Sequence, residues 1–120
     1  MSFNAANEKI KIGTFNCQGI GGKAKRYDVL NYLRDSKFDI ICLQDTHLRL
    51  TDMPAVKDIW PGDVFINGVS SNSRGVMVLL KNSFEYEVCS TDTDQQGNMI
   101  LLDIKINNTK VLLLNIYGPI

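Results

Sequence analysis

The chain has 120 residues, with 13 basic and 13 acidic side chains, and 44% of its residues are hydrophobic. This length suits one domain with its own core, and the composition excludes a disordered or low-complexity chain. The net charge of zero gives no support to nucleic-acid binding, which is usually accompanied by a basic excess.

The three cysteines, Cys17, Cys42 and Cys89, are not arranged as a disulfide framework or a zinc site. Their number is odd, and none has a C-x-x-C or Cys/His ligand spacing. The N-terminus has no apolar stretch of signal-peptide length, and the longest apolar run, Val76 to Leu80, is too short to span a membrane. We therefore expect an intracellular protein, nuclear or cytoplasmic, that makes no contact with membranes.

The first third of the chain predicts a strand, a glycine-rich loop and a helix. Apolar and polar residues alternate from Ile10 to Phe15, and turn-forming residues follow at 16–22. The apolar residues of segment 25–37 fall on one helical stripe: Val29, Leu30 and Leu33. This segment is expected to be an amphipathic helix packed on a sheet.

A second buried strand is predicted next. The continuous apolar run at 39–44 is typical of a strand that is buried on both faces. Residues 54–60 predict a short helical turn, whose Trp60 is expected to pack its loop onto the sheet. A short strand at 63–67 follows.

The remaining chain predicts four β-strands, at 75–81, 84–90, 98–107 and 110–117. Residues 81–83 are expected to connect one pair, and Asn107-Asn108 another, because asparagine tolerates the positive φ of a tight hairpin. Hairpins join antiparallel neighbours. The order strand, helix, strand and then several strands predicts an α/β sandwich rather than a doubly wound sheet.

The glycine-rich loop partly matches two nucleotide-binding motifs. A Walker A loop would need glycine at Cys17 and serine or threonine at Ala24, so that interpretation fails. Gly19 to Ala24 fits the dinucleotide pattern G-x-G-x-x-A, but this fold requires continued β–α alternation, which the later hairpins contradict. The nearby cations predict either phosphate contact or a solvated helix start, and both remain open: Lys23, Lys25 and Arg26.

Four motifs in chain order carry a more specific signal. They begin at Asn16 (N-C-Q-G), Gln44 (Q-D-T-H), Gly75 (G-V-M-V-L) and Asn115 (N-I-Y-G-P). Together they resemble the exonuclease III-like endonuclease/exonuclease/phosphatase family. The nearest resemblance is to the apurinic-type endonuclease domain of LINE-class retrotransposons, whose patterns are N-x-x-G, Q-E-T-H, G-V-A-I-L and N-I-Y-A-P-N.

The resemblance implies site residues and a cofactor. Asp45 matches the family's main Mg²⁺ ligand, with Mn²⁺ as the alternative ion, and Asn16 matches the residue beside the metal and the scissile phosphate. Tyr117 matches the tyrosine that hydrogen-bonds the phosphate. Taken singly, Asn16 could be a turn cap, Asp45 the polar end of a buried strand, and Tyr117 an aromatic residue at the edge of the core.

The sequence departs from the family pattern in three ways. Asp45 replaces the family's glutamate and is one methylene shorter, and Ile120 replaces the asparagine that ends the last motif. The family's later D-x-N and S-D-H segments, which supply the base and a transition-state asparagine, have no counterpart here. His47 belongs to the Q-D-T-H motif, so the general-base role is not transferred to it.

The fold implied is the N-terminal half of a four-layered, deoxyribonuclease I-like α/β sandwich, formed by residues 9–120 after a tail at 1–8. We expect one mixed sheet with a covering helix. Such a half would expose the inner face of its sheet, including Val76, Val78 and Leu80 or Leu112 and Leu114, and would associate with itself, bind a partner or fold poorly.

The resemblance implies Mg²⁺-dependent endonuclease action on DNA, with the half-domain alone expected to be inactive. Two alternatives stay open. One is a non-catalytic remnant of a retroelement that binds nucleic acid or a partner. The other is a different phosphoesterase of the same superfamily, acting on inositol phosphates or similar compounds.

Overall fold

The computed structural model describes residues 9–118. The predicted tail at 1–8 lies outside this range, as do residues 119–120. A 3-10 turn, Leu50–Asp52, leads into the second helix. In chain order the elements are β1 (Ile12–Asn16), α1 (Lys23–Arg34), β2 (Ile40–Gln44), α2 (Met53–Lys57), β3 (Asp63–Asn67), β4 (Val76–Leu80), β5 (Glu87–Thr93), β6 (Met99–Ile106) and β7 (Thr109–Ile116).

The strands form two sheets rather than the one expected. The mixed sheet has the order β1-β2-β4-β3, with β1 and β2 parallel and the other neighbours antiparallel. The antiparallel sheet has the order β5-β6-β7, which is the predicted meander. A single parallel pair among antiparallel strands is incompatible with a doubly wound fold, so the rejection of the dinucleotide motif is confirmed.

One face of the mixed sheet is covered by the two helices. Leu30 and Leu33 of the predicted stripe are buried against it, and Val29 packs there partly buried. Val56 of α2 is buried against the same face. Burial of each such side chain contributes about 1.5–3 kcal/mol. In residues 9–118 neither helix has the length and apolar character that crossing a lipid bilayer requires. The sheet residues in this cluster include Ile41, Leu43, Val64, Ile66, Met77 and Leu79.

The opposite face of the mixed sheet packs against the antiparallel sheet. Val76, Val78 and Leu80 are fully buried there. Of the two sets expected on an exposed face, this one is buried, because the chain supplies both sheets of the sandwich; the other set, Leu112 and Leu114, is exposed. Alternate residues of β6 complete the inter-sheet core: Ile100, Leu102, Ile104 and Ile106.

An exposed apolar face does exist, and it lies on the outside of β7. Leu112, Leu114 and Ile116 are 70%, 52% and 57% exposed. β7 is also an edge strand, with a neighbour on one side only. The layers are therefore helices, mixed sheet and antiparallel sheet, and within residues 9–118 no fourth layer covers β7.

The segment between β4 and β5 crosses from one sheet to the other, so residues 81–83 are not a hairpin turn. The strand predicted at 84–90 begins three residues later, at Glu87, where β5 starts. Phe84 and Tyr86 lie 4.9 Å apart between ring centroids and pack against the inter-sheet core. The Tyr86 hydroxyl donates to Asp63 Oδ2 at 2.6 Å.

Two local predictions are confirmed. Trp60 is 1% exposed, and its Nε1 donates to the carbonyl oxygen of Leu80 at 3.1 Å, which fixes the loop after α2 on the sheet. Asn107 and Asn108 have φ values of 51° and 64° and connect β6 to β7 as a tight hairpin.

Candidate active site

Two of the three predicted site residues lie at the same end of neighbouring parallel strands. Asn16 ends β1 and pairs with Gln44, which ends β2, and Asp45 follows directly. The pairing continues into the loop, where the Cys17 backbone N donates to the Gln44 carbonyl oxygen at 2.8 Å. The structure thus brings the amide of Asn16 and the carboxylate of Asp45 to one edge.

Segment 45–47 contains two residues, Asp45 and His47, whose backbone conformation is one that residues other than glycine rarely take. Asp45 has φ 56° and His47 has φ 60°, each at a cost of roughly 1–3 kcal/mol. Four backbone hydrogen bonds hold them, two from the loop after β1 and two to the loop before β4: Gly19 N to Asp45 O (2.7 Å), Ile20 N to Thr46 O (2.9 Å), Thr46 N to Gly75 O (3.0 Å) and His47 N to Arg74 O (2.8 Å).

The carboxylate of Asp45 is held through one of its oxygens. Oδ1 lies 2.8 Å from Nε2 of His47 and accepts from the backbone N of Arg74 at 3.2 Å. Oδ2 accepts no hydrogen bond from any residue in 9–118, and the side chain is 20% exposed. One oxygen is therefore fixed to the protein, and the other is available to a ligand.

Asn16 caps a turn. Its Oδ1 accepts from the backbone N of Gln18 at 3.0 Å, and Gln18 has φ 53°. The structural role expected of a lone asparagine at a strand end is thus confirmed. An amide oxygen has two lone pairs. The exposed side chain can therefore shape this loop and also offer a ligand oxygen.

A network of side-chain amides next to Asp45, which sequence analysis missed, joins the two sheets. Gln44 Nε2 donates to Asn115 Oδ1 and to Thr14 Oγ1, both at 2.8 Å. Asn115 is 2% exposed, and its Nδ2 donates to the carbonyl oxygens of Leu43 (3.1 Å) and Met77 (2.9 Å). The sequence did contain a signal for this network: Asn115 is a polar residue within the apolar strand β7. A polar side chain that is buried needs hydrogen-bond partners.

Tyr117, the third predicted residue, follows Asn115 by two positions and so lies at the same end of the sandwich. Its backbone N donates to the Asn98 carbonyl oxygen at 2.8 Å, and its ring packs against the inter-sheet core. Within residues 9–118 its hydroxyl makes no hydrogen bond, and none joins it to Asn16 or Asp45. Its role in phosphate binding stays a prediction.

Two of the three clustered cations stabilise the loop between β1 and α1. Lys25 Nζ donates to the carbonyl oxygens of Cys17 (3.0 Å) and Gln18 (3.2 Å). Arg26 donates to the carbonyl oxygen of Gly21 at 2.9 Å. Neither predicted role, phosphate contact or a solvated helix start, anticipated these bonds, which satisfy loop carbonyl groups beside the site.

The thiol of Cys17 lies near the site but is chemically quiet. Burial raises its pKa to about 11, Asp45 adds to this shift, and the charge of Lys25 opposes it. Burial also raises the pKa of Cys42 to about 11. The raised pKa values disfavour the thiolate, which is the form that ligates metals and attacks electrophiles.

The donors at this edge fit a Mg²⁺ ion without enclosing it. In residues 9–118 no three His, Cys, Asp or Glu side chains come together as a metal-binding group. Mg²⁺ is usually held by one or two carboxylates, with waters and substrate phosphate oxygens completing its shell. The free oxygen of Asp45 and the amide oxygen of Asn16 match that requirement.

These motifs and this fold are matched among known proteins. The sequence profile of the Endonuclease/Exonuclease/phosphatase family covers residues 13–118. The chain belongs to the endonuclease/exonuclease/phosphatase family. The resemblance seen in the four motifs is thereby confirmed, and the matched span contains Asn16, Asp45 and Tyr117.

Relatives in this family share most of the chain. It is 30% identical over 111 residues to the transposon TX1 uncharacterized 149 kDa protein of Xenopus laevis. The aligned span covers 92% of this chain and 8% of that protein. It is 28% identical over 116 residues to an exodeoxyribonuclease of Bacillus subtilis (strain 168), 92% of this chain and 43% of the enzyme.

The fold is likewise that of the family. AP endonuclease LMAP from Leishmania major superimposes with a TM-score of 0.67 at 17% identity, covering 90% of this chain and 40% of that enzyme. The deoxyribonuclease I-like α/β sandwich is therefore confirmed as the fold class. The chain spans less than half the length of each of these three proteins.

Proposed function

We propose that the chain carries the metal- and phosphate-binding part of a Mg²⁺-dependent endonuclease that hydrolyses DNA phosphodiesters. The observation that supports this proposal is that Asn16 and Asp45 lie at the paired carboxyl ends of β1 and β2, with one Asp45 oxygen free of hydrogen bonds. Asp45 would hold Mg²⁺ or Mn²⁺, with Asn16 beside the ion and the scissile phosphate. Tyr117 would donate its hydroxyl to that phosphate.

DNA as the substrate is supported by what the relatives are. One is a transposon protein, one an exodeoxyribonuclease and one an AP endonuclease. A DNA substrate also agrees with the expected nuclear or cytoplasmic location. The bound ion would stabilise negative charge on the phosphate.

We expect the chain alone to be inactive. Hydrolysis also requires a base that activates water and donors that stabilise the transition state. Within residues 9–118 no second carboxylate joins Asp45 in a metal-binding group, and the one histidine of the chain, His47, is bonded to Asp45. We therefore expect residues 9–118 to bind a metal and a phosphate without supplying the groups that complete the reaction.

The test is DNA affinity with and without metal. Fluorescence anisotropy of a labelled duplex, at constant ionic strength, would be measured in Mn²⁺ and in EDTA. We expect several-fold tighter binding in Mn²⁺, because the ion bridges Asp45 and a phosphate, and loss of that gain in Asp45→Ala. Asp92→Ala, which removes an exposed carboxylate on β5, is the matched control and should keep the gain. Plasmid nicking should stay at background throughout.

Other outcomes would favour the alternatives. DNA binding with a steep salt dependence that Asp45→Ala leaves unchanged would contradict the proposal and indicate a non-catalytic remnant. Phosphate release from inositol phosphates, with no metal-dependent affinity for DNA, would indicate another phosphoesterase of the family. Metal-dependent nicking that disappears in Asp45→Ala would confirm the site and refute the expected inactivity.

The exposed face of β7 is proposed as a surface of self-association. Leu112, Leu114 and Ile116 form an apolar stripe on an edge strand whose free backbone groups are open to further pairing. Exposed apolar edges of this kind favour edge-to-edge contact between chains.

A further inference from the structure

We propose that His47 is a positioning residue, whose Nε2–H fixes the carboxylate of Asp45 so that Oδ2 is presented to the divalent cation. This inference rests on the proposed function, since it takes Asp45 as the metal ligand. It assigns His47 a role that is neither general base nor metal ligand. The role follows from three features of the structure: the hydrogen bond to Asp45, the packing of the imidazole ring against Gly19, and the rigid backbone between Asp45 and His47.

The first feature is that only one of the two carboxylate oxygens of Asp45 is hydrogen-bonded to the protein. Nε2 of His47 and the backbone N of Arg74 both lie within hydrogen-bond distance of Oδ1, at 2.8 and 3.2 Å. Two donors on one oxygen fix the side-chain torsions and leave Oδ2 as the free ligand atom. Placement matters here because aspartate is one methylene shorter than the family's glutamate, and functional groups tolerate displacements of only about 0.5 Å.

The second feature is the packing of the imidazole ring. The ring lies against Gly19, where an added Cβ would approach Nδ1 to 2.6 Å and Cε1 to 2.9 Å. Gly19 also has φ 85°, which favours glycine. The ring therefore occupies a space that exists only because position 19 has no side chain.

The third feature is the backbone that links the two side chains. Thr46, between them, is fully buried, and residues 45–47 are held by hydrogen bonds from both flanking loops. With the backbone fixed, Asp45 can move mainly by rotation about its side-chain torsions. The hydrogen bond from His47 restricts that rotation.

The geometry also specifies which nitrogen carries the proton. In a neutral ring, Nε2 must carry the hydrogen to donate to Oδ1, and this leaves Nδ1 facing Gly19. A nitrogen that donates to Oδ1 has no lone pair for a metal or for a proton from water. Outer partners of this kind usually change metal affinity about 10–100-fold when removed.

The test compares Mn²⁺ affinities by electron paramagnetic resonance, with no DNA present. His47→Leu keeps bulk but removes the donor, and we expect about tenfold weaker Mn²⁺ binding. His47→Gln places an amide nitrogen the same number of bonds from Cα and should restore affinity to within about threefold of the native chain. Leucine and glutamine share the backbone cost at φ 60°, so the pair isolates the hydrogen bond.

Gly19→Ala is a second, independent perturbation. It keeps both side chains but displaces the ring, and alanine at φ 85° also strains the backbone N that donates to the Asp45 carbonyl oxygen, so it should weaken Mn²⁺ binding at least as much as His47→Leu does. Adding His47→Leu to Gly19→Ala should weaken Mn²⁺ binding little further, because displacement of the ring has already removed its hydrogen bond to Asp45. Thermal unfolding in EDTA separates loss of binding from loss of folding for every variant.

Two outcomes would overturn the proposal: native Mn²⁺ affinity in folded His47→Leu, or no recovery in folded His47→Gln. The second would show that the imidazole itself is needed, as a direct ligand would be. Asp45→Ala distinguishes this failure from failure of the proposed function. If Asp45→Ala binds Mn²⁺ like the native chain, the metal site itself is wrong; if it loses binding while His47→Leu does not, only the positioning role is wrong.

Discussion

Replacement of Asn115 by leucine is expected to lower the free energy of unfolding by about 2–4 kcal/mol. The change removes three hydrogen bonds from a site that is 2% exposed. The carbonyl groups of Leu43 and Met77 would then be buried without their amide partner, and Gln44 would lose an acceptor. Because typical domains are stable by only about 5–15 kcal/mol, this is a large loss.

Urea unfolding followed by Trp60 fluorescence and by far-ultraviolet circular dichroism measures this effect. Coincident transitions are required for the free energies to be compared. Lys110→Ala on the same strand is the control, because it removes only a surface ion pair with Asp103, whose atoms lie 3.8 Å apart. That pair contributes about 0–1 kcal/mol. A loss no larger for Asn115→Leu than for Lys110→Ala would show that the network does not hold the sheets together.

The second large effect is expected on the association state. The native chain should sediment as dimers or larger species in a concentration-dependent way, and Leu112→Lys with Leu114→Lys should shift it to monomers. Both side chains are more than half exposed, so charge there removes the apolar stripe without opening the core. Lysine on an exposed edge also discourages strand pairing.

The matched control is Ser90→Lys, an exposed position on β5 at the other edge of the antiparallel sheet. It adds a charge to the sheet but leaves the stripe of β7 intact, so association should persist. A stable, monodisperse native monomer at all concentrations in sedimentation equilibrium would contradict the proposal.

The sequence predicted the elements better than their grouping. The run at 39–44 indicated a strand buried on both faces, and β2 is an inner strand whose side chains pack into the helix-side core on one face and into the inter-sheet core on the other. The strand predicted at 84–90 was placed three residues too early, because sequence pattern does not distinguish a paired strand residue from one that only packs against the core, as Phe84 and Tyr86 do. Which strands share a sheet depends on contacts far apart in sequence, and no local pattern encodes them.

The site residues were predicted from motifs, but the hydrogen bonds that hold the site together were not. Asn16 and Asp45 were identified because strand ends and a family pattern coincide, and the parallel pairing of β1 and β2 brings them together as expected. Gln44 and Asn115 belong to the motifs, but the sequence did not predict their hydrogen bond to each other. Their bond spans 71 positions and forms only when the two sheets pack.

Paramagnetic broadening of backbone amide signals by Mn²⁺ tests the central claim most directly. At the lowest Mn²⁺ levels, broadening should begin at Asn16 and at 45–47 and should disappear in Asp45→Ala. Amide signals around the hollow lined by Glu85, Glu87 and Lys105, away from the ends of β1 and β2, should stay sharp. Broadening centred on that hollow, or a pattern that Asp45→Ala leaves unchanged, would show that the ends of β1 and β2 do not form a metal site.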